Sequence, residues 1–405
     1  MSPNFNIVKK PDKKDKVEIE VDEDEEVEVS VKKSDDDIKK KMIRFMLIIG
    51  GIIIVLLLIL YLFSLTSKKT YEYKELEQIL TDAAKEYFVD YPDSLPEGNG
   101  DVVEIDSSNL VAAGKMQDLS TYKTKDGGVC TGSVQVANTD GDYLYTPYLN
   151  CGDTYSTLEL YKKITDDEDI VTTGYGLYSV KSEFIFRGEI VNNYVQLDNG
   201  LWRIVKVTSD NNVVLISEES SLYANTWDNR YNQDRLYDSG INQYSASRVK
   251  EFLDKIYTNP NESNGENLLS DSDKTKIIPY SLCISKRSAN SESRDNSEEC
   301  VEKLDGQKMG LLTLSDYLMA SIDPNCKSAA TKSCKNYNYL SRRYEWWLAT
   351  ANKDDTSTVY KVGSNGIVKL EDASAACIVR PVIYLNSNVL YKSGSGTEED
   401  PYLVR

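Results

Sequence analysis

Hydrophobic positions follow three different rhythms along the chain. From Phe45 to Leu65, FMLIIGGIIIVLLLILYLFSL, about twenty residues pass without a charge. At about 1.5 Å per residue that run matches a hydrocarbon core of roughly 30 Å. A core helix of this length would keep a polar face, and this one has none. A secretory signal would be shorter, nearer the amino terminus and followed by a small-residue cleavage site. The run predicts a retained single-pass signal-anchor. Residues 1–44 alternate basic and acidic blocks with too little apolar surface for a core, which predicts a solvated, disordered tail. Within the tail, VEIEVDEDEEVEVSV alternates apolar and acidic residues, a pattern that could pair as a strand with a partner.

After the span the period changes to three and four. Tyr73, Leu76, Ile79, Leu80, Ala83, Ala84, Tyr87 and Phe88 predict an amphipathic helix, separated from the anchor by SKKT. DYPDSLPEGNG stops it with prolines and glycines. Val102 to Ile105 predicts a strand, and Asp106 or Ser107 caps a short helix through Leu110 to Ala113 that Gly114 ends. Val134 and Val136, then Tyr143, Tyr145 and Tyr148, alternate about Asp140-Gly141, a hairpin signal. Cys130 and Cys151 lie at the outer ends of that hairpin, and a disulfide there would contribute on the order of 3 kcal/mol. Asn138, Asp140 and Asp142 have the spacing of calcium-loop oxygens, but no bidentate Glu follows; the turn accounts for them.

The acidic stretch around ITDDEDI predicts a linker over 156–171. From 172 onward the period is two. Phe184 to Phe186, Tyr194 to Leu197, Trp202 to Val207 and Val213 to Ile216 predict a β-meander, punctuated by Gly188, Asp198-Asn199-Gly200 and Asp210-Asn211-Asn212. Ser245 is the expected cap of a helix with Val249, Phe252, Leu253 and Ile256 on one face. Residues 258–308 read as polar and irregular. Leu311-Leu312 predicts a strand entering the helix SDYLMAS; WWLAT, Val359 to Val362 and IVRPVIYL are further strands. Pro381 marks the last as an edge or a bulge. The chain is therefore α+β, with a tail (1–44), a transmembrane helix (45–65), a helix-plus-sheet module (70–155), the linker and a β-rich domain (172–405).

Charge orients the anchor. Lys39, Lys40, Lys41 and Arg44 outnumber Lys68 and Lys69, which places the amino terminus in the cytoplasm. All seven cysteines follow the span, as expected if that side is the oxidising one. Cys283–Cys300 and Cys326–Cys334 are the expected further staples, with Cys377 unpaired; the spacing leaves other pairings open. No C-x-x-C occurs, so no Cys-only metal site is expected. Histidine is absent from all 405 residues, which removes Ser-His-Asp and Cys-His catalysis and every His-containing zinc site. A net charge of -18 argues against a nucleic-acid partner. No cofactor is expected.

AAKEYF, DSLPEG, the Leu110 to Gly114 segment and the clipped hairpin together resemble type IV pilin-like proteins of Gram-positive bacteria, over about 85 residues. Prepilins carry a peptidase site before the span, whereas DDDIKKKMIRF shows none, so the resemblance implies a permanently anchored pilin-like module. Further on, LWRIVKV, GLLTLSDYLMAS, WWLAT, VRPVIYL and SGTEEDPYLV resemble an uncharacterised bacterial extracellular family related to the C-type-lectin-like fold of formylglycine-generating enzymes. Enzymes of that group use a cysteine pair at a metal site, and nothing marks such a pair here. Core packing accounts for Trp202, Trp346, Trp347 and Arg380. The expectation is a non-catalytic surface protein binding a polysaccharide or a protein. If the ligand is a sugar, Tyr223, Trp227 and Tyr344 are the expected stacking platform beside acidic loops. The alternatives are a pilus or secretion-apparatus subunit and a glycosidase working through an Asp/Glu pair.

Overall fold

The structure is a computed structural model that describes residues 34–66, 69–139, 141–166, 169–218, 224–235, 239–258 and 268–405. The strand-like segment of the tail and Tyr223 lie outside the described residues. The chain divides into two compact units, Met1–Lys69 and Thr70–Arg405.

In the first unit, helix α1 spans Ser34–Thr66 and so begins well before the apolar run. Its stretch Lys39–Ile59, 21 residues with a mean hydropathy of 2.9, is entirely unburied and is long and apolar enough to cross a bilayer.

The second unit holds two hydrophobic cores. The smaller forms where α2 (Tyr73–Asp90) lies on an antiparallel sheet of Val102–Asp106, Thr131–Thr139 and Asp142–Asn150, with Thr131–Thr139 in the middle. A capping box starts α2: the Glu72 amide donates to Glu75 Oε2 at 3.0 Å. Leu76, Leu80, Ala83, Ala84 and Phe88 then bury the expected face. Gly132 permits the close approach, because a Cβ there would sit 2.8 Å from both Leu80 Cδ1 and the Tyr148 carbonyl. Helix α3 (Ser107–Ala112) ends at Gly114, whose φ of 72° suits only glycine. Cys130 and Cys151 are disulfide-bonded beside the first register pair of the hairpin, Thr131 with Asn150.

The larger core gathers side chains from Leu160 to Tyr402. Its main sheet runs, in spatial order, Val382–Leu385, Val213–Ser217, Gly200–Val207, Tyr194–Leu197, Tyr402–Val404 and Tyr391–Ser393. The hairpin Gly176–Val180 with Glu183–Arg187 joins it through Gly200–Val207. The meander is thus extended by Tyr402–Val404, which returns to lie parallel to Tyr194–Leu197. A second sheet has the order Ala224–Thr226, Ala376–Ile378, Trp346–Ala351, Thr358–Val362 and Val368–Asp372.

Pro381 stands between the two sheets. The expected single strand IVRPVIYL is broken there: Ala376–Ile378 belongs to one sheet and Val382–Leu385 to the edge of the other. Proline offers no N–H to a ladder, so the crossing falls where a strand bond could not form. Arg380, fully buried, spans the same seam by donating to the Ser217 carbonyl at 3.1 and 2.9 Å while lying 5.0 Å from the Trp346 ring. Trp202, Trp346 and Trp347 are fully buried as well.

Within the expected irregular stretch 258–308, the described residues 268–308 are more ordered than their polarity predicts. Helix α4 (Leu160–Ile164), α5 (Arg248–Thr258) and α6 (Asp271–Lys274) precede a two-stranded sheet of Tyr280–Cys283 and Lys303–Gln307. Ser247, not Ser245, caps α5, its Oγ accepting from the Lys250 amide at 3.3 Å. Leu311-Leu312 forms no strand; Thr313 instead opens α7 (Leu314–Met319) with a capping box to Asp316.

The loop clipped by Cys283–Cys300 grips both ends of α7. Glu299, fully buried, accepts from the Leu314 and Ser315 amides at 3.1 and 3.3 Å and from Thr350 Oγ1 at 2.5 Å. Arg294 donates to the Leu318 carbonyl at 2.7 and 3.0 Å, and to Ser321. A carboxyl thus caps the amides at the amino end and a guanidinium the carbonyls at the carboxyl end. Cys326 and Cys334 form the third disulfide, and Cys377 is buried and unpaired, its thiol pushed up to about 11 by burial.

Residues of the expected linker tie the two cores together. The Leu160 amide donates to Val389 and the Tyr391 amide to Leu158, at 2.8 and 2.9 Å, while Leu160 and Ile164 are buried in the larger core. Glu77 of α2, 1% exposed, pairs with Arg405 at 2.5 Å and accepts from Tyr155 Oη and Thr157 Oγ1 at 2.7 and 2.5 Å.

Candidate functional site

The second sheet and the short sheet of Tyr280–Cys283 leave a cleft between their loops. Three walls enclose it: Tyr231 to Asp234 with Ile241 to Ser245, the pair Ile284 and Lys286 with Glu302 opposite, and Thr356. The cavity is about 550 Å³, within the range of ligand sites.

Two asparagines make this loop cluster rigid. Asn242 is fully buried, and its amide nitrogen donates to the carbonyls of Asn352, Asp355 and Thr358 at 2.9, 2.7 and 2.9 Å. Its Oδ1 accepts from Lys286 Nζ at 2.5 Å, bringing the second wall into the same network. Asn232, 3% exposed, donates to Gly240 and Thr356 at 2.8 and 3.2 Å. Asp228, fully buried, accepts the amides of Arg230 and Ile241 at 2.9 and 3.1 Å, closing the loop base. Gly240 has φ 80° and a Cβ there would strike the Asp228 carbonyl at 2.1 Å, so the loop closes only over glycine. Among the described residues the walls of the cleft are in this way held together by their own hydrogen bonds, without a ligand.

The groups left facing the cleft are mixed. Tyr231 is 65% exposed. Gln233, Asp234, Gln243, Lys286 and Glu302 supply donors and acceptors of both signs. Partial burial pulls the Lys286 ammonium below the usual lysine value, and Glu302 opposes that shift. Tyr244 lies on the wall with its ring edge-on to Trp227 at 5.8 Å, and its buried hydroxyl has no hydrogen-bond partner among the described residues. An exposed ring beside a fan of amides and carboxylates offers stacking and hydroxyl recognition together.

The expected platform does not assemble. Trp227 is fully buried, its indole N–H donating to the Leu348 carbonyl at 3.0 Å, so it presents no face to a ligand. Large aromatic area is simply worth more in the core than at the surface. Tyr344 is half-buried against the larger core with its hydroxyl shut in, and it does not line the cleft. Tyr223 lies outside the described residues. The ring that does reach the cleft, Tyr231, is four positions beyond Trp227. Its signal was the polar run DNRYNQD, where a lone tyrosine has no apolar neighbours to pack with. Among the described residues no group of histidine, cysteine or carboxylate side chains is placed to hold a metal ion. Comparison with protein-family models, with curated proteins and with solved structures finds no match to the chain.

Proposed function

We propose that the chain is a membrane-anchored extracellular binding protein of a Gram-positive-type bacterium, non-catalytic, holding a C-type-lectin-like head on a pilin-like stalk. The apolar helix supports the anchor, the basic flank at Lys39 to Arg44 supports a cytoplasmic amino terminus, and the three disulfides support an oxidising exterior for Thr70–Arg405. The observation that carries the reading is the rigid cleft with Tyr231 exposed at its edge. Its ligand in this reading is a neutral or weakly charged polysaccharide, stacked on Tyr231 and hydrogen-bonded by Gln233, Asp234, Gln243 and Lys286. The test is a glycan array probed with the full chain in detergent micelles, followed by titration of each hit. The expected result is saturable binding to at least one glycan, weakened about tenfold or more by Tyr231→Ala, a loss of stacking worth about 1 to 2 kcal/mol. Cleavage of a bound glycan that depends on Asp234 and Glu302 would overturn the non-catalytic reading. A regular cross-linking ladder of full-length chains in cells, with no glycan bound, would favour a filament subunit instead.

A further inference from the structure

A different cavity, of about 250 Å³, opens between the hairpin turn at Val180 to Glu183, the strand end at Val205-Lys206, the clipped loop at Asp295-Asn296 and the first turns of α7. At roughly 30 Å³ per water it has room for about eight waters, or for a small organic molecule of that bulk.

Its charges are arranged in two tiers. At the floor Lys206, 8% exposed, holds its ammonium 3.2 Å from Asp316 Oδ1 and 3.5 Å from Glu183 Oε1. The other oxygen of Asp316 is taken by the Thr313 amide and hydroxyl at 3.2 and 2.7 Å. At the mouth Asp295 Oδ1 accepts from Ser293 Oγ, Ser297 N and Ser297 Oγ at 3.0, 3.1 and 2.6 Å. Those bonds hold its carboxyl well below the usual carboxylate range and fix it in place. Among the described residues its Oδ2 meets Lys181, 3.5 Å away on a side chain 79% exposed. Three carboxylates (Glu183, Asp295, Asp316) against two ammoniums (Lys181, Lys206) leave a net charge of one negative in the cavity.

Between the tiers the wall is part hydroxyl and amide, from Ser182, Ser209, Ser315 and Asn296, and part aliphatic, from Val180, Ile185, Val205 and Met319. A recess of about 30 Å³, the size of one water, shares Lys206, Asn296 and Asp316 with this cavity and is lined by Tyr280. The Tyr280 hydroxyl is buried and has no hydrogen-bond partner among the described residues.

We infer that this cavity is a binding site for an amino sugar carrying a free ammonium group. The net negative charge selects a cation over an anion. The buried Lys206 ammonium beside the carboxylates repels a bare metal ion, yet it can donate to a sugar hydroxyl. The ligand's ammonium sits at the mouth on Asp295, its hydroxyls reach Glu183, Lys206 and the serines, and its C–H face lies on the aliphatic wall. Neutral N-acetylated sugars lack the charge, and a simple amine such as ethanolamine lacks the ring face and all but one of the hydroxyls. The inference stands apart from the cleft of Tyr231, which has different residues and different probes.

The experiment is isothermal titration of the full chain in detergent micelles at low ionic strength with D-glucosamine, N-acetyl-D-glucosamine, D-glucose and ethanolamine. The expected result is saturable glucosamine binding, at least about tenfold tighter than for any of the other three. Glu183→Gln and Asp295→Asn, both at partly exposed positions, are expected to weaken it about tenfold each in samples whose circular dichroism shows the wild-type fold; Tyr231→Ala leaves it intact. Absence of saturable glucosamine binding overturns the inference. So does equal binding of N-acetylglucosamine or of ethanolamine, or indifference to both variants.

Discussion

Replacing Arg405 by alanine strands a carboxylate. Glu77 is 1% exposed, and without the guanidinium 2.5 Å away it keeps only the hydroxyls of Tyr155 and Thr157. Removing one member of a buried ion pair costs about 3 to 5 kcal/mol, and Arg405, whose side chain is 23% exposed, places this pair near the lower figure, about 3 kcal/mol. Glu77→Gln is milder, about 1 to 2 kcal/mol, because the amide oxygen still accepts from the two hydroxyls and Arg405 can turn to water. The double variant Glu77→Gln with Arg405→Met is expected to be more stable than the sum of the single losses by about 1 to 2 kcal/mol. Tryptophan placement makes the assay selective. All four tryptophans lie in the larger core and none in the smaller, so their fluorescence reports one core while far-UV circular dichroism reports both. In urea unfolding of the full chain in micelles, the two signals are expected to coincide for the wild type and to separate in Arg405→Ala, as the smaller core melts first. The reasoning fails if Arg405→Ala stays within about 0.5 kcal/mol of wild type with coincident transitions.

Burial pushes the Glu299 carboxyl up to about 7 against the opposing pull of Thr350 and Arg287, from an ordinary value of 4.5. A carboxyl raised on folding contributes stability that is full below pH 4.5 and is lost as the pH rises through 7, by about 3 kcal/mol at about 1.4 kcal/mol per unit. Thermal midpoints of wild type minus those of Glu299→Gln, followed from pH 5 to 8, are expected to fall; a flat difference contradicts this. Removing the Cys283–Cys300 clip with a double Cys→Ala exchange frees a loop of 17 residues and is expected to cost about 3 kcal/mol, with α7 losing amide-exchange protection before the sheets. Retained protection at Leu314 to Met319 would show that the grip of Arg294 and Glu299 does not need the disulfide.

Local rhythm in the sequence carried the elements whose partners are close by. The face of α2, the hairpin about Asp140-Gly141 and the strands from Phe184 to Ile216 are all written in spacing that one element displays alone. The three disulfides were legible because each joins cysteines separated by at most 21 residues. What escaped depends on partners far along the chain. Tyr280–Cys283 and Lys303–Gln307 are a strand pair held by each other and by Cys283–Cys300, and their polar outer faces hide the alternation. IVRPVIYL looks like one strand, and only the presence of two sheets shows why it must break at Pro381. The expected platform fails at Trp227 for a related reason: tryptophans draw attention as ligand platforms, but Trp227 is needed under Leu348, whereas the inconspicuous Tyr231 is exposed.

The stitching of residues 157–160 to 389–391 also sets how the molecule bears load. If the cleft grips an immobile polymer while α1 is held in a bilayer, tension enters at Thr70 and leaves through the loops around Tyr231. The connection in between is not slack: it is shunted by the Leu160–Val389 and Tyr391–Leu158 hydrogen bonds and by the Glu77–Arg405 pair. Under a gentle pull the two cores move as one stiff body. Releasing that segment would draw Leu160 and Ile164 out of the larger core, so the join yields only together with part of that core. The same few contacts that join the cores therefore pass a load on the anchor directly into the larger core.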